Sequence, residues 1–402
     1  MTNNPTKPIV GPLPATTLGI YVQVPFCQTK CTYCNFHTGV AARSLYRPYA
    51  VAVERELSEH ARLYDGAHLE NAGMAANTVD TIYLGGGTPS LLDPDDLARI
   101  VDAVRSSFSC ALSEVTLEAD PETIRADNAA AWRAAGIDRI SLGVQSFQDV
   151  ELVAAGRMHR REDIGRAMEL LRDAGFTNVS MDLIAGLPHQ TAQNWTNSLE
   201  QLLSLRPEHV SIYLLEIDEG SRLGSEALAG GSRYSARAIP DDDVMAECYD
   251  QACRELAAAG YEHYEISNWG MPGFSSRHNL KYWRREPYLG FGAGAHSFDG
   301  RWRWANAHDA ATYVAAIASG RLPIEQQAEV SASQALDEEM FLGLRQLAGI
   351  DLSRIEKQYG VDFGARIANL QSQGLVECDG TRVRLAPARL TVSNEVFVAL
   401  LD

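Results

Sequence analysis

The chain has 402 residues, is 46% hydrophobic and carries 52 acidic against 35 basic residues, a net charge of -17. That length and apolar content can bury a full core divided over two or three domains, whereas the acidic field repels polyanions, so nucleic-acid binding would need a local basic patch that the sequence does not contain. The seven cysteines are an odd count, and three of them crowd into residues 27–34, which suits a reducing compartment and metal binding better than a disulfide framework.

The opening residues, MTNNPTKPIVGPLPATT, are rich in proline and polar groups and hold no apolar segment long enough for a signal peptide or a membrane span. A polar tail over residues 1–18 and a cytoplasmic chain are expected. Short β-branched runs then recur, each followed by a turn signal and an amphipathic stretch. They predict strands over residues 20–26, 81–85, 114–118, 139–144, 178–184 and 209–215, and helices over 46–64, 93–108, 127–135, 161–174 and 191–203. Six strands alternating with helices make an α/β chain with a parallel sheet covered by helices. A partial (β/α)6 barrel fits best, although an open doubly wound sheet has the same periodicity.

From Asp241 the pattern loosens into a helix over 242–259, a strand-like run YEHYEISNW from Tyr261 and a glycine-rich LGFGAGAHSF from Leu289. The barrel with this elaboration is taken to span residues 19–324. Residues 325–402 differ in composition: ASQALDEEMFLGLRQL aligns Leu336, Met340, Leu344 and Leu347 on one helical stripe. Two further short helices and the hairpin GLVECDGTRVRLAP, turning at Asp379 and Gly380, predict a small winged-helix-like α+β domain. Its helix over 363–373 has only Arg366 as a basic residue, so packing rather than DNA reading is expected.

The stretch FCQTKCTYCNF sets Cys27, Cys31 and Cys34 close together and places Phe36 where a fourth cysteine might have stood. Structural zinc takes four protein ligands, and only His37 lies near as a further donor; a cubane iron-sulfur cluster has four corners, so three cysteines leave one iron open. Downstream, LGGGTP over residues 84–89 ends the second predicted strand, where glycines admit a ligand to the backbone and offer amide donors. Glu118 in LEADPE, Gln145 in GVQSF and Asp182 in MDLIAGLP each end or interrupt an apolar strand. A polar group there is costly unless a ligand satisfies it or a structural hydrogen-bond network does.

A strand followed by CxxxCxxC resembles the radical S-adenosylmethionine (SAM) superfamily. The resemblance implies a partial TIM barrel, a [4Fe-4S] cluster on Cys27, Cys31 and Cys34, SAM chelating the open iron, and an electron donor for the cluster. Most of the chain is similar to the oxygen-independent coproporphyrinogen III oxidase family, and that pattern implies SAM contacts at Tyr21, Gly86, Gly87, Thr88, Glu118, Gln145, Arg157 and Asp182, with Glu216 at a further position. The oxidases carry a fourth cysteine, where this chain has Phe36, and a longer N-terminal extension. Those departures, with HNLKYW over residues 278–283, resemble the sister family of HemW heme chaperones, in which HNxxYW is a signature. This second resemblance implies heme as ligand and a heme-accepting protein as partner, with peripheral membrane contact during delivery left open. His278 would supply an axial imidazole, Tyr282 and Trp283 aromatic surface, and Arg277, Lys281, Arg284 and Arg285 charge for the propionates. His296 and His308 read as structural or merely exposed. The alternative activity is oxidative decarboxylation of coproporphyrinogen III; radical chemistry on RNA is disfavoured by the acidic balance.

Overall fold

The computed structural model describes residues 17–63 and 78–401; residues 1–16 of the expected tail, and Tyr64 at the end of the first predicted helix, lie outside them. Six parallel strands lie side by side in chain order: β1 (Leu18–Val24), β2 (Val79–Gly86), β3 (Cys110–Ala119), β4 (Arg139–Gln145), β5 (Val179–Ala185) and β6 (His209–Leu214). A doubly wound sheet would reverse its strand order at a switch point. An unbroken run from first to sixth is the winding of a barrel, with α1 (Tyr46–Ser58), α2 (Pro94–Ser107), α3 (Ala126–Ala134), α4 (Arg161–Asp173) and α5 (Ala192–Leu205) as its crossovers.

Alternation along the strands explains the arrangement. Leu18, Ile20, Val22 and Val24 of β1 join Ile82, Leu84, Ile140, Leu142, Met181 and Val210 in one core with Val53, Ile100, Leu171 and Leu199 of the helices. Each such side chain contributes about 1.5–3 kcal/mol by leaving water. The intervening residues, among them Tyr83, Glu118, Ser141 and Asp182, turn into the lumen, which is therefore polar. Local signals set the helix starts. Asp93 accepts from the Asp95 N–H at 3.0 Å ahead of Pro94, and Thr191 accepts from the Asn194 N–H at 3.2 Å. The first helix stops at Ser58, earlier than predicted, and a separate one-turn helix covers His60–Leu63.

After α6 (Asp242–Ala258), the run expected as a single strand is a hairpin of β7 (Glu262–Glu265) and β8 (Asn268–Gly270). The Glu265 carboxylate accepts from the Ser267 N–H at 3.1 Å and from the Asn268 amide, bending the chain without glycine or proline. β8 pairs antiparallel with β6. On the opposite flank β9 (Tyr288–Phe291) runs parallel to β1, and β10 (His296–Phe298), β11 (Trp302–Asn306) and β12 (Ile324–Glu329) extend the sheet antiparallel. The barrel is thus partial, with β7 and β12 as its two edges.

The short helix α7 (Arg277–Trp283) closes the N-terminal end of the lumen. Glu114 of β3 accepts from the backbone N–H groups of Arg277 at 2.9 Å and His278 at 3.1 Å, a carboxylate against the positive end of a helix. The closure is tight: a Cβ on Gly19 would lie 2.9 Å from Lys281 Cδ and 3.1 Å from His278 Cε1.

The remaining segment comprises α8 (Ala332–Arg345), β13 (Ile350–Asp351), α9 (Leu352–Tyr359), α10 (Gly364–Ser372), β14 (Val376–Asp379), β15 (Arg382–Leu385) and α11 (Ser393–Leu401). Its three strands form one small sheet packed by helices, the α+β arrangement expected. Met340 and Leu344 are buried as the stripe requires, but α8 ends at Arg345. Leu347 sits past the helix, its N–H donating to the Tyr264 carbonyl at 3.1 Å, so the exit of α8 is stitched to the barrel edge. Among the described residues no helix is long and apolar enough to cross a membrane.

Candidate cluster and cofactor site

The three cysteines occupy the loop that leaves the C-terminal end of β1. Two bonds pin that loop across the barrel mouth: the Thr32 N–H donates to the Ala155 carbonyl at 3.0 Å, and the Thr32 hydroxyl to the Ala154 carbonyl at 3.1 Å. The glycine turn after β2 holds it from the other side, Gly87 N–H donating to Val24 at 2.8 Å and Thr88 N–H to Phe26 at 2.7 Å. The contact demands glycine, because a Cβ on Gly87 would lie 2.5 Å from the Phe26 carbonyl oxygen and 3.0 Å from Cys27 Sγ.

The thiols line one wall of a cavity of about 530 Å³ that opens at the strand ends. Among the described residues no three His, Cys, Asp or Glu side chains converge on a single ion-sized point. Arg157 reaches in from the loop after β4, approaching Cys31 Sγ at 3.4 Å, donating to the Gly143 carbonyl at 2.8 Å and pairing with Asp120. Burial pushes the Cys27 thiol up, so its anionic form requires a positive partner such as a metal centre.

Acidic groups form the opposite wall. Glu118 accepts from the Tyr83 hydroxyl at 2.8 Å and the Gly86 N–H at 2.9 Å, and burial still raises its pKa to about 7. Burial likewise raises Asp182, whose Oδ1 is enclosed without a hydrogen-bond partner. Gln145 stands at a shift of register between β4 and β5 with φ 66°, left-handed backbone in a non-glycine residue. Tyr21 lies just below the cavity: its hydroxyl donates to Gln23 at 2.6 Å, and Gln23 packs against Gly86.

Residues 21–202 match the Radical SAM superfamily and residues 330–388 the HemN C-terminal domain. The chain is 34% identical to the heme chaperone HemW of Bacillus subtilis over 95% of its own length and 98% of that protein's. It is 36% identical to the heme chaperone HemW of Mycobacterium tuberculosis over 98% and 97%. This chain belongs to the HemW family of radical SAM proteins. Its fold also matches coproporphyrinogen III oxidase (HemN) from Escherichia coli, a radical SAM enzyme, with a TM-score of 0.78 across 95% of this chain and 89% of that one. The identity there is 23%, a likeness of fold.

Membership of the radical SAM superfamily implies a [4Fe-4S] cluster and SAM, and the cavity suits both. Soft thiolates suit iron-sulfur corners, and the Glu118 and Asp182 carboxylates line the cavity as acceptors for an amine or hydroxyl. When bound, the pair supplies one-electron chemistry that side chains alone cannot.

The cavity brings together Cys27, Cys31, Cys34, Gly86, Gly87, Thr88, Glu118, Gln145, Arg157, Asp182 and, at its lip, Glu216. It also holds residues that reading the HemW-like sequence missed. Asp120 ties Arg157 to the Thr88 hydroxyl, which donates to it at 3.1 Å; its position two residues after Glu118, just past the end of β3, was the available signal. Arg345 enters from the end of α8, 3.5 Å from Glu265 and with its guanidinium 4.4 Å from the Trp283 ring centroid; no local pattern marks it.

The signature HNLKYW is not at this cavity. His278 is fully buried at the sealed N-terminal end, with Nδ1 2.9 Å from the Thr81 hydroxyl and Nε2 2.9 Å from the Tyr282 hydroxyl. Both ring nitrogens are engaged, and burial pulls the pKa down to about 3. The expectation of an open axial ligand on His278, flanked by Tyr282 and Trp283, is corrected accordingly: Tyr282 spends its hydroxyl on His278, and Trp283 is half-buried under Arg345. Two of the expected propionate partners are also committed, Lys281 to Asp80 at 2.8 Å and Glu286 at 3.3 Å, Arg285 to Glu338 at 2.6 Å.

Proposed function

We propose that this protein is a heme chaperone: it binds heme and passes it to an acceptor protein, with a SAM-ligated [4Fe-4S] cluster as resident cofactor on Cys27, Cys31 and Cys34. The observation that carries the reading is near-full-length similarity, at 34–36% identity, to proteins named heme chaperone HemW. Phe36, 68% exposed at the lip of the cavity, supports it, since it stands where the similar oxidases carry a further cysteine. In this reading the glycine turn lets the methionine end of SAM approach the backbone closely, and Glu118 and Asp182 face its donors. Arg157, anchored by Asp120, sets positive charge beside Cys31. An electron donor for the cluster and a cytoplasmic site of action belong to the same proposal.

The test is anaerobic. Reconstituted protein is incubated with SAM, a reductant and coproporphyrinogen III, and separately titrated with hemin. Saturable hemin binding with a defined Soret band, and no decarboxylated porphyrinogen, is the expected result. Turnover of coproporphyrinogen III without hemin binding would replace the chaperone by an oxidase.

A further inference from the structure

With His278 enclosed, an iron atom presented to this protein needs another imidazole, and three stand together beside the cluster loop. The rings of His37 and His308 lie 4.2 Å apart, centroid to centroid, tilted by 39°. His296, the first residue of β10, faces both: desolvation first, then the charges of His308 and His37, hold its pKa below the ordinary value. His37 and His296 are exposed; His308 is half-buried, and its Nδ1 is enclosed without a hydrogen-bond partner. Segments far apart in sequence supply them, and none of the three serves as a helix cap or fills the apolar core. The assembly therefore gains little as packing.

The surroundings suit a flat apolar ligand with acidic arms. Phe36 and Val40, on either side of His37, are 68% and 66% exposed, the largest exposures among bulky hydrophobic side chains of the described residues. Phe36 also lines the lip of the cavity, so its open ring is placed to meet a ligand there. In a chain of net charge -17, one cation lies against this ledge, Lys30, whose ammonium donates to the Phe36 carbonyl at 3.3 Å, and the exposed Arg43 follows Val40 by three residues in the chain. Two imidazoles in mutual contact leave no room for a macrocycle between them, so they offer one axial ligand and a neighbour that orients it.

We infer that heme docks on this rim, its ring against Phe36 and Val40, its iron on His37 with His308 behind, and its propionates toward Lys30 and Arg43. The inference rests on the heme-chaperone reading and puts the cargo beside the cluster loop, at the opposite end of the lumen from the HNLKYW helix.

Hemin titration of the cluster-loaded full chain, followed at the Soret band, tests it in wild type and in the double variant His37→Ala with His308→Ala. Iron-free protoporphyrin IX serves as a second probe. The double variant should lose hemin affinity by roughly tenfold or more and shift the Soret maximum, while iron-sulfur content, SAM affinity and protoporphyrin IX binding stay near wild type. Phe36→Ser with Val40→Ser should weaken both macrocycles, because it removes contact area and no ligand. A double variant that keeps the wild-type hemin spectrum and affinity overturns this site and leaves the chaperone reading standing. A wild-type chain that fails to bind hemin overturns the chaperone reading itself.

Discussion

The two ends of one lumen are built from the same six strands and do opposite things. At the N-terminal end, His278 has a partner on each ring nitrogen, the Lys281 ammonium has two carboxylates, and a carboxylate caps α7. At the C-terminal end, the Glu118 and Asp182 carboxylates and three thiols line free volume, and Gln145 holds left-handed backbone. Polar groups bonded to one another hold a structure, and polar groups that line free volume can take a ligand. The lower end is a seal, and the upper end is a site.

Disruption of the upper end should act on ligands and leave the fold. The largest effect is expected of Cys31→Ala: iron and sulfide analysis after reconstitution should fall from a full cluster to near none, with a far-ultraviolet spectrum like that of wild type. Retention of a full cluster would remove Cys31 from the ligand set.

Disruption of the lower end should act on stability first. Lys281→Ala leaves Asp80 and Glu286 without their cation, and urea denaturation should show a loss of about 3–5 kcal/mol, the range for a broken buried ion pair. The folded fraction should still take up cluster and SAM. A variant as stable as wild type would show that the seal contributes nothing.

A smaller and more local effect is expected at Gly87→Ala, whose Cβ presses on Phe26 and Cys27. Cluster content and SAM affinity should both fall, the latter by roughly tenfold at the cost of forcing a close contact to relax. Gly39→Ala is the matched control, since nothing lies within 4 Å of its added Cβ. Equal behaviour of the two would detach the glycine turn from the site.

The last effect is a pH dependence that differs between the ends. Glu118, raised from 4.5 to about 7, binds its proton more tightly when folded, so its contribution is full below pH 4.5 and is lost as pH rises through 7. His278, lowered from 6.5 to about 3, works in the other direction, and its contribution is lost as pH falls from 6.5 toward 3. Glu118→Gln should flatten the decline between pH 4.5 and 7 in cofactor-free protein; an unchanged profile would place that titration elsewhere.

Much of this was legible in the residues. The β-branched runs marked the six strands, and three crowded cysteines followed by glycines marked the mouth of the barrel, because both signals are local. Glu118, Gln145 and Asp182 stood out as polar groups in apolar strands. Asp120 escaped notice because LEADPE also reads as a turn. The hairpin at Glu265 was unreadable without glycine or proline, its bend being made by a side chain. HNLKYW misled for a different reason. A string shows which groups a helix carries, whereas its end of the barrel is decided by Gly19, Thr81 and Glu114, far away in sequence. Arg345 depends in the same way on how α8 meets the β7 edge.

Amide hydrogen exchange on the cluster-loaded chain, with and without SAM, compares the two ends in a single measurement. Added protection should appear at residues 85–88, 118–120 and 143–145 around the mouth, and residues 276–286 at the seal should exchange alike in both states. Protection that appeared at the seal while the mouth stayed unchanged would contradict the division of the lumen into a site and a plug.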